Sequence, residues 1–219
     1  MNVLLLGATG MVGQGVLREC LLDPRVTSVL TLGRVVTGQR APKLREIAQP
    51  NLFDLSAIEH ELTGIDVCFF CLGVSAVGMN EEQYTRITHD LTLSVAQTLL
   101  RINPALVFLY VSGMGTDSTE HGRTMWARVK GRTENELLAM PFRRAYMVRP
   151  AAIIPLHGIR SKTAFYRIFY TLTKPIQPLL QRAFPKYITT TEELGRAMIN
   201  LAAGNTPSRV IENREITGR

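Results

Sequence analysis

Short apolar runs alternate with helix-spaced apolar positions along residues 1–150. The run Asn2–Leu6 predicts a first strand, and apolar positions three and four residues apart over Met11–Leu22 predict a helix that ends before Pro24. The same reasoning predicts further strands at Val26–Leu32, Leu44–Ala48, Ile65–Leu72, Leu106–Val111 and Ala145–Val148. It predicts further helices over Leu55–Leu62, Glu81–Ile102 and Thr119–Met140.

This alternation predicts an α/β fold. Because Ile65–Leu72 and Leu106–Val111 are apolar on both faces, these strands suit a parallel sheet that helices cover on both sides. We therefore expect a doubly wound parallel sheet of the Rossmann type, with its ligand edge at the carboxyl ends of the strands. A chain of 219 residues favours one domain, in which residues 1–150 form a cofactor core and residues 151–219 a small substrate-side subregion.

The pattern is looser in the C-terminal subregion. The segment Thr163–Leu172 is aromatic and basic. Thr190 and Glu193 have the spacing of a capping box before a helix that we expect to end near Gly204. Val210–Ile216 predicts a last short strand.

A glycine-rich loop follows the first strand and opens the first helix, with the pattern G-x-x-G-x-x-G. In such loops the first glycine permits a tight turn, the second lets the backbone approach a pyrophosphate, and the third lets the helix pack closely on the strand. The free N–H groups at the start of the helix favour the diphosphate. The predicted cofactor-binding residues are Gly7, Thr9, Gly10, Met11, Val12 and Gly13. The alternative interpretation is a glycine-rich turn with no ligand.

The end of the second strand bears on which dinucleotide binds. NAD sites usually have an acidic residue there that holds the ribose hydroxyls. Here the strand ends in Gly33 and Arg34, without an acid. A guanidinium can clamp a 2′-phosphate, so we expect NADP, with Arg40 and Lys43 as further cations nearby. A solvated loop arginine is the alternative.

These features resemble the short-chain dehydrogenase/reductase superfamily, specifically its atypical NAD(P)-binding branch of small TIP30-like oxidoreductases and nucleoside-diphosphate-sugar epimerase relatives. The resemblance covers residues 1–150 and continues more weakly into the helix at 190–203. It implies further cofactor contacts at Asp54, Leu55, Cys71, Leu72, Gly73 and Pro150. It also implies that Ser112 is the active-site serine and that Lys130 hydrogen-bonds the nicotinamide ribose.

The Tyr-x-x-x-Lys signature of that superfamily is incomplete in this chain. Lys130 is present, but Trp126 occupies the tyrosine position, and an indole N–H donates a hydrogen bond without acid–base chemistry. Another proton donor is one explanation, with His121, Tyr84, Tyr166 and Tyr170 as candidates. A second is hydride transfer to a substrate polarised by Ser112 or Trp126, with water as the proton source.

We therefore expect an NADP-binding oxidoreductase- or epimerase-like protein. The alternative is a catalytically silent NADP-binding protein that acts as a sensor or a scaffold. Ser112 and Lys130 favour the first interpretation, and Trp126 favours the second.

The positive charge is concentrated near the C-terminus. Residues 141–219 contain 13 Lys/Arg and 4 Asp/Glu, whereas residues 1–140 contain 12 and 14. The segment 156–187 has no acidic residue, so we expect a small-molecule substrate that is anionic. A peripheral membrane contact by its aromatic and basic side chains and a solvated basic face are the alternatives. We expect no nucleic-acid partner, because no recognised binding module is present.

The remaining features exclude some kinds of site. Cys68 and Cys71 are three positions apart in a predicted strand, so their side chains point to opposite faces and suit neither a metal nor a disulfide. The four histidines lack metal-ligand spacing, and we expect no metal. Met1 leads directly into the first strand and no apolar stretch reaches the roughly 18–20 residues of a membrane span, so we expect a cytoplasmic location.

Overall fold

The strands and helices alternate over most of the chain. A computed structural model describes residues 1–159 and 187–218. The strands are β1 (Asn2–Leu6), β2 (Ser28–Gly33), β3 (Leu44–Ala48), β4 (Val67–Phe70), β5 (Val107–Val111), β6 (Arg144–Arg149), β7 (Ala152–Ile154), β8 (Ile188–Thr190) and β9 (Val210–Glu212). The helices are α1 (Met11–Leu22), α2 (Glu81–Thr85), α3 (Leu91–Ile102), α4 (Met125–Ala139), α5 (Thr191–Ala203) and α6 (Asn213–Thr217). The aromatic and basic segment Thr163–Leu172 lies outside the described residues.

Seven of the strands form a parallel sheet in the order β3-β2-β1-β4-β5-β6-β9. β1 lies between β2 and β4, so that Leu6 is the partner of Leu32 on one side and of Phe70 on the other. The strand order reverses at this point, which is where ligands bind in open α/β sheets. The predicted doubly wound, Rossmann-type sheet is thus confirmed, and the glycine loop follows its switch-point strand.

Helices cover both faces of the sheet. One face packs β1 and β5 side chains against α1 and α5, through the buried residues Leu5, Leu109, Leu17, Leu194 and Ala197. The other face packs alternate residues of the same strands against α3 and α4, through Leu4, Phe108, Leu99 and Leu137. Cys68 belongs to the second cluster and Cys71 packs against the first, as their spacing predicted, and both thiols are free.

Several elements differ from their predicted bounds or type. The helix predicted over Glu81–Ile102 is interrupted by a π turn over Arg86–Asp90. The strand predicted over Val210–Ile216 ends at Glu212, where α6 begins with a capping box from the Glu212 side chain. The short helix predicted over Leu55–Leu62 is a 3-10 helix over Ser56–Leu62.

The largest boundary error is the start of α4, which we predicted at Thr119 and which lies at Met125. The Asp117 carboxylate accepts hydrogen bonds from the Thr119 amide at 3.0 Å and from the Gly122 amide at 2.7 Å. Such side-chain bonds to nearby amides compete with helix formation. Residues 117–122 therefore form a loop, in which Glu120 has a φ of 65°.

The C-terminal part of the chain is joined to the sheet. β8 pairs with β7 in a small two-stranded sheet, and β9 extends the main sheet beside β6. The predicted capping box is confirmed, because Thr190 Oγ1 accepts from the Glu193 amide at 3.0 Å and Glu193 Oε2 accepts from the Thr190 amide at 2.8 Å. None of the helices within the described ranges has both the length and the apolar character of a membrane span.

Candidate functional site

The glycine loop after β1 is folded so tightly that two of its positions have no room for a side chain. Gly7 has a φ of +84°, and a Cβ added there would lie 2.6 Å from the carbonyl carbon of Cys71. A Cβ added at Gly13 would lie 2.0 Å from the carbonyl oxygen of Gly7. Gly10 is less crowded, at 3.3 Å from the same oxygen, and its amide donates to that oxygen at 2.9 Å. The loop thus presents bare backbone at the start of α1.

A cavity of about 330 Å³ opens beside this loop. The ends of β1, β2 and β4 and the loop after β3 form its walls, through Gly7, Ala8, Thr9, Thr31, Leu32, Gly33, Arg34, Val35, Leu52 and Leu72. The first turn of α1, which contains Met11, Val12 and Gly13, carries no acidic side chain. An anionic group at this turn therefore meets the positive end of the helix dipole without a competing carboxylate.

Arg34 lies in the wall of this cavity, directly after β2. It is exposed, and within the described residues its guanidinium has neither a hydrogen bond nor an ion pair. The two other cations near it in the sequence are placed elsewhere. The Nζ of Lys43 donates to the carbonyl oxygen of Asp23 at 2.8 Å, and Arg40 is not part of the cavity wall.

The loop after β3 contributes a different residue from those that the resemblance implied. The Asp54 carboxylate accepts from the Ser56 amide at 3.0 Å, and Leu55 is buried in the core. Neither residue lines the cavity, whereas Leu52 does. Its signal in the sequence is the apolar pair Leu52-Phe53 between Asn51 and Asp54. Thr31, Leu32 and Val35 are further lining residues that sequence reasoning missed.

The loop after β5, which begins with Ser112, is hydrogen-bonded to the end of β6 and to Pro150. The Ser112 amide donates to the Val148 carbonyl at 2.7 Å, and the Met114 amide donates to the Pro150 carbonyl at 2.9 Å. The Ser112 hydroxyl is buried and lies 3.0 Å from the hydroxyl of Thr116. The end of β5 and the end of β6 are therefore fixed against each other at the carboxyl edge of the sheet.

Helix α4 places Trp126 and Lys130 beside the same strand. The Trp126 ring is half-buried next to Gly115, where an added Cβ would lie 3.6 Å from Trp126 Cη2. The Nζ of Lys130 donates to the Tyr110 hydroxyl at 3.3 Å. Tyr110 is the next-to-last residue of β5, and Ser112 is the first residue after that strand. Lys130 and Trp126 thus contact residues near the carboxyl end of β5, where Ser112 also lies.

The other candidate proton donors differ in their exposure to solvent. The Tyr84 side chain is only 2% exposed, and burial raises the pKa of its phenol, so it is poorly suited to deliver a proton to a substrate. His121 is exposed in the loop before α4. Tyr166 and Tyr170 lie outside the described residues.

Burial lowers the pKa of Lys130 to about 8, although the nearby Glu134 carboxylate acts in the opposite direction. The folded state therefore disfavours the ammonium form. Below pH 8 the lysine is protonated in both the folded and the unfolded protein, and its cost to folding is fully present. As the pH rises from about 8 towards 10.5, the ordinary value, the folded protein gives up the proton first and the cost fades.

We expect Lys130→Met to raise the free energy of unfolding at pH 7 by roughly 1–3 kcal/mol, after allowance for the lost bond to Tyr110. The gain should shrink as the pH approaches 10. Urea unfolding of both proteins at pH 7 and pH 9.5 measures the difference. Arg132→Met, which removes an exposed cation from the same helix, is the control and should show no such pH dependence. A gain that stays constant or grows with pH would refute this interpretation of Lys130.

The comparisons with known proteins agree with this geometry. The family model described as Epimerase, the NAD dependent epimerase/dehydratase family, matches residues 3–127. Protein FMP52, mitochondrial, from Eremothecium gossypii is 28% identical over 220 residues, covering 99% of this chain and 96% of that protein. Protein fmp52, mitochondrial, from Emericella nidulans is 32% identical over 159 residues, covering 69% of this chain and 66% of that protein.

Solved structures share the fold at low sequence identity. UDP-glucose 4-epimerase from Thermotoga maritima, solved with UDP-glucose, has a TM-score of 0.67 at 13% identity, covering 96% of this chain and 75% of the epimerase. A double mutant of the dTDP-glucose 4,6-dehydratase DesIV from Streptomyces venezuelae, solved with NAD bound, has a TM-score of 0.68 at 15% identity, covering 100% of this chain and 79% of the dehydratase.

The comparisons correct one expectation and establish another. The cytoplasmic location that we expected is contradicted, because the curated relatives are named as mitochondrial proteins. The start of the chain at Met1 and the lack of a long apolar stretch were too weak a basis for that prediction. The family model, by contrast, spans more than half of the 219 residues, from β1 into the first turn of α4. The resemblance to epimerase relatives is therefore confirmed, and this chain belongs to the NAD dependent epimerase/dehydratase family.

Proposed function

We propose that this protein binds NADP and works as an oxidoreductase- or epimerase-like enzyme of the short-chain dehydrogenase type. The observation that carries the proposal is Arg34, an exposed guanidinium without a partner among the described residues, in the wall of the cavity beside the glycine loop. A carboxylate at this position would favour the ribose hydroxyls of NAD, whereas a free guanidinium suits the 2′-phosphate of NADP.

The residues present fit an NADP molecule part by part. The bare backbone of Gly7–Gly13 and the start of α1 would hold the diphosphate. The apolar side chains of Leu52 and Leu72 would cover the adenine, and Arg34 would bind the 2′-phosphate. The cavity of about 330 Å³ is lined by Gly7 and Thr9 of the glycine loop, by Leu52 and Leu72, and by Arg34.

The reacting end of the cofactor would lie towards the ends of β5 and β6. When bound, NADP supplies or accepts a hydride. The Ser112 hydroxyl and the Trp126 indole N–H would polarise the oxygen of a carbonyl substrate as hydrogen-bond donors. Lys130 holds a proton at Nζ that is easily given up near neutral pH, since the pKa of this lysine is about 8.

We expect Arg34→Ala to weaken NADPH binding by at least about tenfold and to leave NADH binding nearly unchanged, because a charge-assisted contact to a phosphate is worth roughly 1.5–3 kcal/mol. Fluorescence titration of both nucleotides into both proteins measures this. Arg40→Ala, which removes a neighbouring exposed cation outside the cavity wall, is the control. Equal Kd values for NADH and NADPH in the unmodified protein would reject the proposal.

The substrate that we propose is a small anionic carbonyl or alcohol compound. The excess of basic residues in 141–219 supports an anionic substrate on that side. The UDP-glucose bound in the Thermotoga maritima epimerase is an anionic molecule of this kind. Most of the basic segment 156–187 lies outside the described residues, and of the described part, His157 is paired with Glu192 at 2.5 Å. We propose neither a nucleic-acid partner nor a membrane surface as the main ligand of this segment.

A second candidate function is a catalytically silent NADP-binding sensor or scaffold. Trp126 favours this candidate, because it stands at the position of the superfamily's proton-donating tyrosine.

We expect Trp126→Tyr to increase NADPH oxidation at least tenfold with a panel of aldehydes and ketones, because general acid catalysis typically contributes 10²–10⁴-fold. Phe at the same position is the matched control, since it lacks the phenol. If the unmodified protein oxidises NADPH with some member of the panel, it is an enzyme. Binding of NADPH without turnover in the unmodified protein, Trp126→Tyr and Trp126→Phe would favour the silent protein.

A further inference from the structure

Glu46 is not part of the cavity wall, but it contacts the loop that carries Arg34 and the wall residue Thr31. It lies on the edge strand β3, directly opposite Thr31 of β2. Its Oε2 accepts from the Thr37 amide at 2.8 Å and from the Thr31 hydroxyl at 3.1 Å, and its Oε1 accepts from the Gly38 amide at 3.0 Å. Both carboxylate oxygens are therefore occupied by donors from β2 and the loop that follows it.

These bonds are the attachment of residues 34–38 to the sheet. Among the described residues, the hydrogen bonds that join this loop to another element both end on Glu46. The remaining bond in the loop is local, from the Gln39 amide to Thr37 Oγ1 at 3.1 Å. Arg34, Val35 and Val36 are exposed, so apolar packing contributes little to their placement.

The charge of Glu46 is held by hydrogen-bond donors of β2 and the loop that follows it. The carboxylate is not part of the cavity wall. Burial alone would raise its pKa, but the bonds from Thr37, Thr31 and Gly38 outweigh that effect and lower the pKa, so the group stays ionised at neutral pH. An ionised carboxylate accepts stronger hydrogen bonds from amides than a neutral amide oxygen does.

We propose that Glu46 is a positioning residue for cofactor specificity, because its bonds to the loop amides keep Arg34 at the cavity where a 2′-phosphate would bind. This inference rests on the proposed NADP function. Glutamine at this position would keep the shape but only one accepting oxygen, so one of the two amides would face an NH₂ group. The loop would then detach from β3, and Arg34 would lose its fixed position.

The test compares Glu46→Gln with Glu61→Gln, which changes a neighbouring carboxylate that pairs with Arg45 and does not contact the loop. We expect Glu46→Gln to weaken NADPH binding five- to tenfold, to change NADH binding less than twofold, and to speed hydrogen exchange of the Thr37 and Gly38 amides. Glu61→Gln should change none of these. Glu46→Asp keeps the charge but has a side chain that is one methylene shorter, so it should lose less NADPH affinity than Glu46→Gln. It provides the test if Glu46→Gln does not fold.

The outcomes separate this inference from the function on which it rests. If the unmodified protein prefers NADPH and Glu46→Gln keeps that preference within twofold, the inference is overturned and the NADP function stands. Unchanged exchange of the Thr37 and Gly38 amides overturns it as well, because the bonds then do not hold the loop. If the unmodified protein shows no preference for NADPH, the NADP function fails, and the specificity role of Glu46 fails with it.

Discussion

Replacing Gly13 with alanine is expected to lower the free energy of unfolding by at least about 3 kcal/mol and to abolish measurable NADPH binding. The added Cβ would lie 2.0 Å from the carbonyl oxygen and 2.6 Å from the carbonyl carbon of Gly7. Both are backbone atoms that cannot rotate away, so either the loop or α1 must move. Overpacking usually costs about 1–3 kcal/mol, and a contact this short with backbone belongs at or above the upper end of that range.

Gly113→Ala is the control for this prediction. Its added Cβ would have no atom within 4 Å, so we expect a change in stability of less than about 0.5 kcal/mol. Urea unfolding measures both variants, and a nucleotide titration of any Gly13→Ala protein that remains folded measures the effect on the loop. A Gly13→Ala protein as stable as the unmodified one would show that α1 does not approach the loop this closely.

Removing the carboxylate of Glu134 should have a similarly large effect. Its side chain is 1% exposed and accepts from Arg149 Nε at 3.0 Å and from Arg149 Nη2 at 2.5 Å, so that the two side chains form a buried bidentate pair between α4 and β6. Glu134→Ala would leave the guanidinium, which is 11% exposed, with Glu212 and Ser118 as its partners among the described residues. Breaking a buried pair from one side costs about 3–5 kcal/mol, and the two remaining partners place our expectation near 3 kcal/mol.

The chain offers a matched control for this prediction. Glu59 also forms a bidentate pair, with Nη1 and Nη2 of Arg101, but its side chain is 30% exposed and that of Arg101 is 63% exposed. Exposed pairs contribute about 0–1 kcal/mol, so Glu59→Ala should be nearly neutral. Thermal and urea unfolding compare the two variants. Equal costs for both would mean that burial does not govern the contribution of Glu134.

The sequence was sufficient to predict the sheet and most of the helices. The strands β1, β4 and β5 are apolar at nearly every position, which requires helices on both faces and so a parallel sheet. Helix α1 was predicted at its observed bounds because its glycine loop, its apolar spacing and Pro24 all agree. Such agreement between local and long-range signals is what makes an element predictable.

The predictions failed where side chains redirect the backbone. The stretch 119–124 has a helical pattern, but the Asp117 carboxylate binds its amides and holds a loop. The π turn between α2 and α3 adds a residue to one turn without any change in the spacing of apolar positions that we could recognise. Both features depend on individual hydrogen bonds, which periodicity does not report.

The candidate site was predictable only in part, because some of its residues belong to recognisable motifs and others do not. Motifs at the ends of strands indicated the glycine loop, Arg34 and Leu72, and the cavity lies against all three. Glu46 was missed because β3 is a short edge strand whose side chains have no strongly patterned face, and Leu52 was missed because it lies in the loop after that strand. The bond between Lys130 and Tyr110 was also missed, since it joins two elements that are 20 residues apart in the chain.

The most direct measurement of whether Arg34 makes this an NADP site is calorimetric titration of the protein with 2′,5′-ADP and with 5′-AMP. These two ligands differ only in the 2′-phosphate, and neither carries the nicotinamide end. We predict that 2′,5′-ADP binds at least about tenfold more tightly, and that Arg34→Ala removes the difference. Equal affinities in the unmodified protein, or a preference that survives Arg34→Ala, would contradict the assignment of the 2′-phosphate to Arg34.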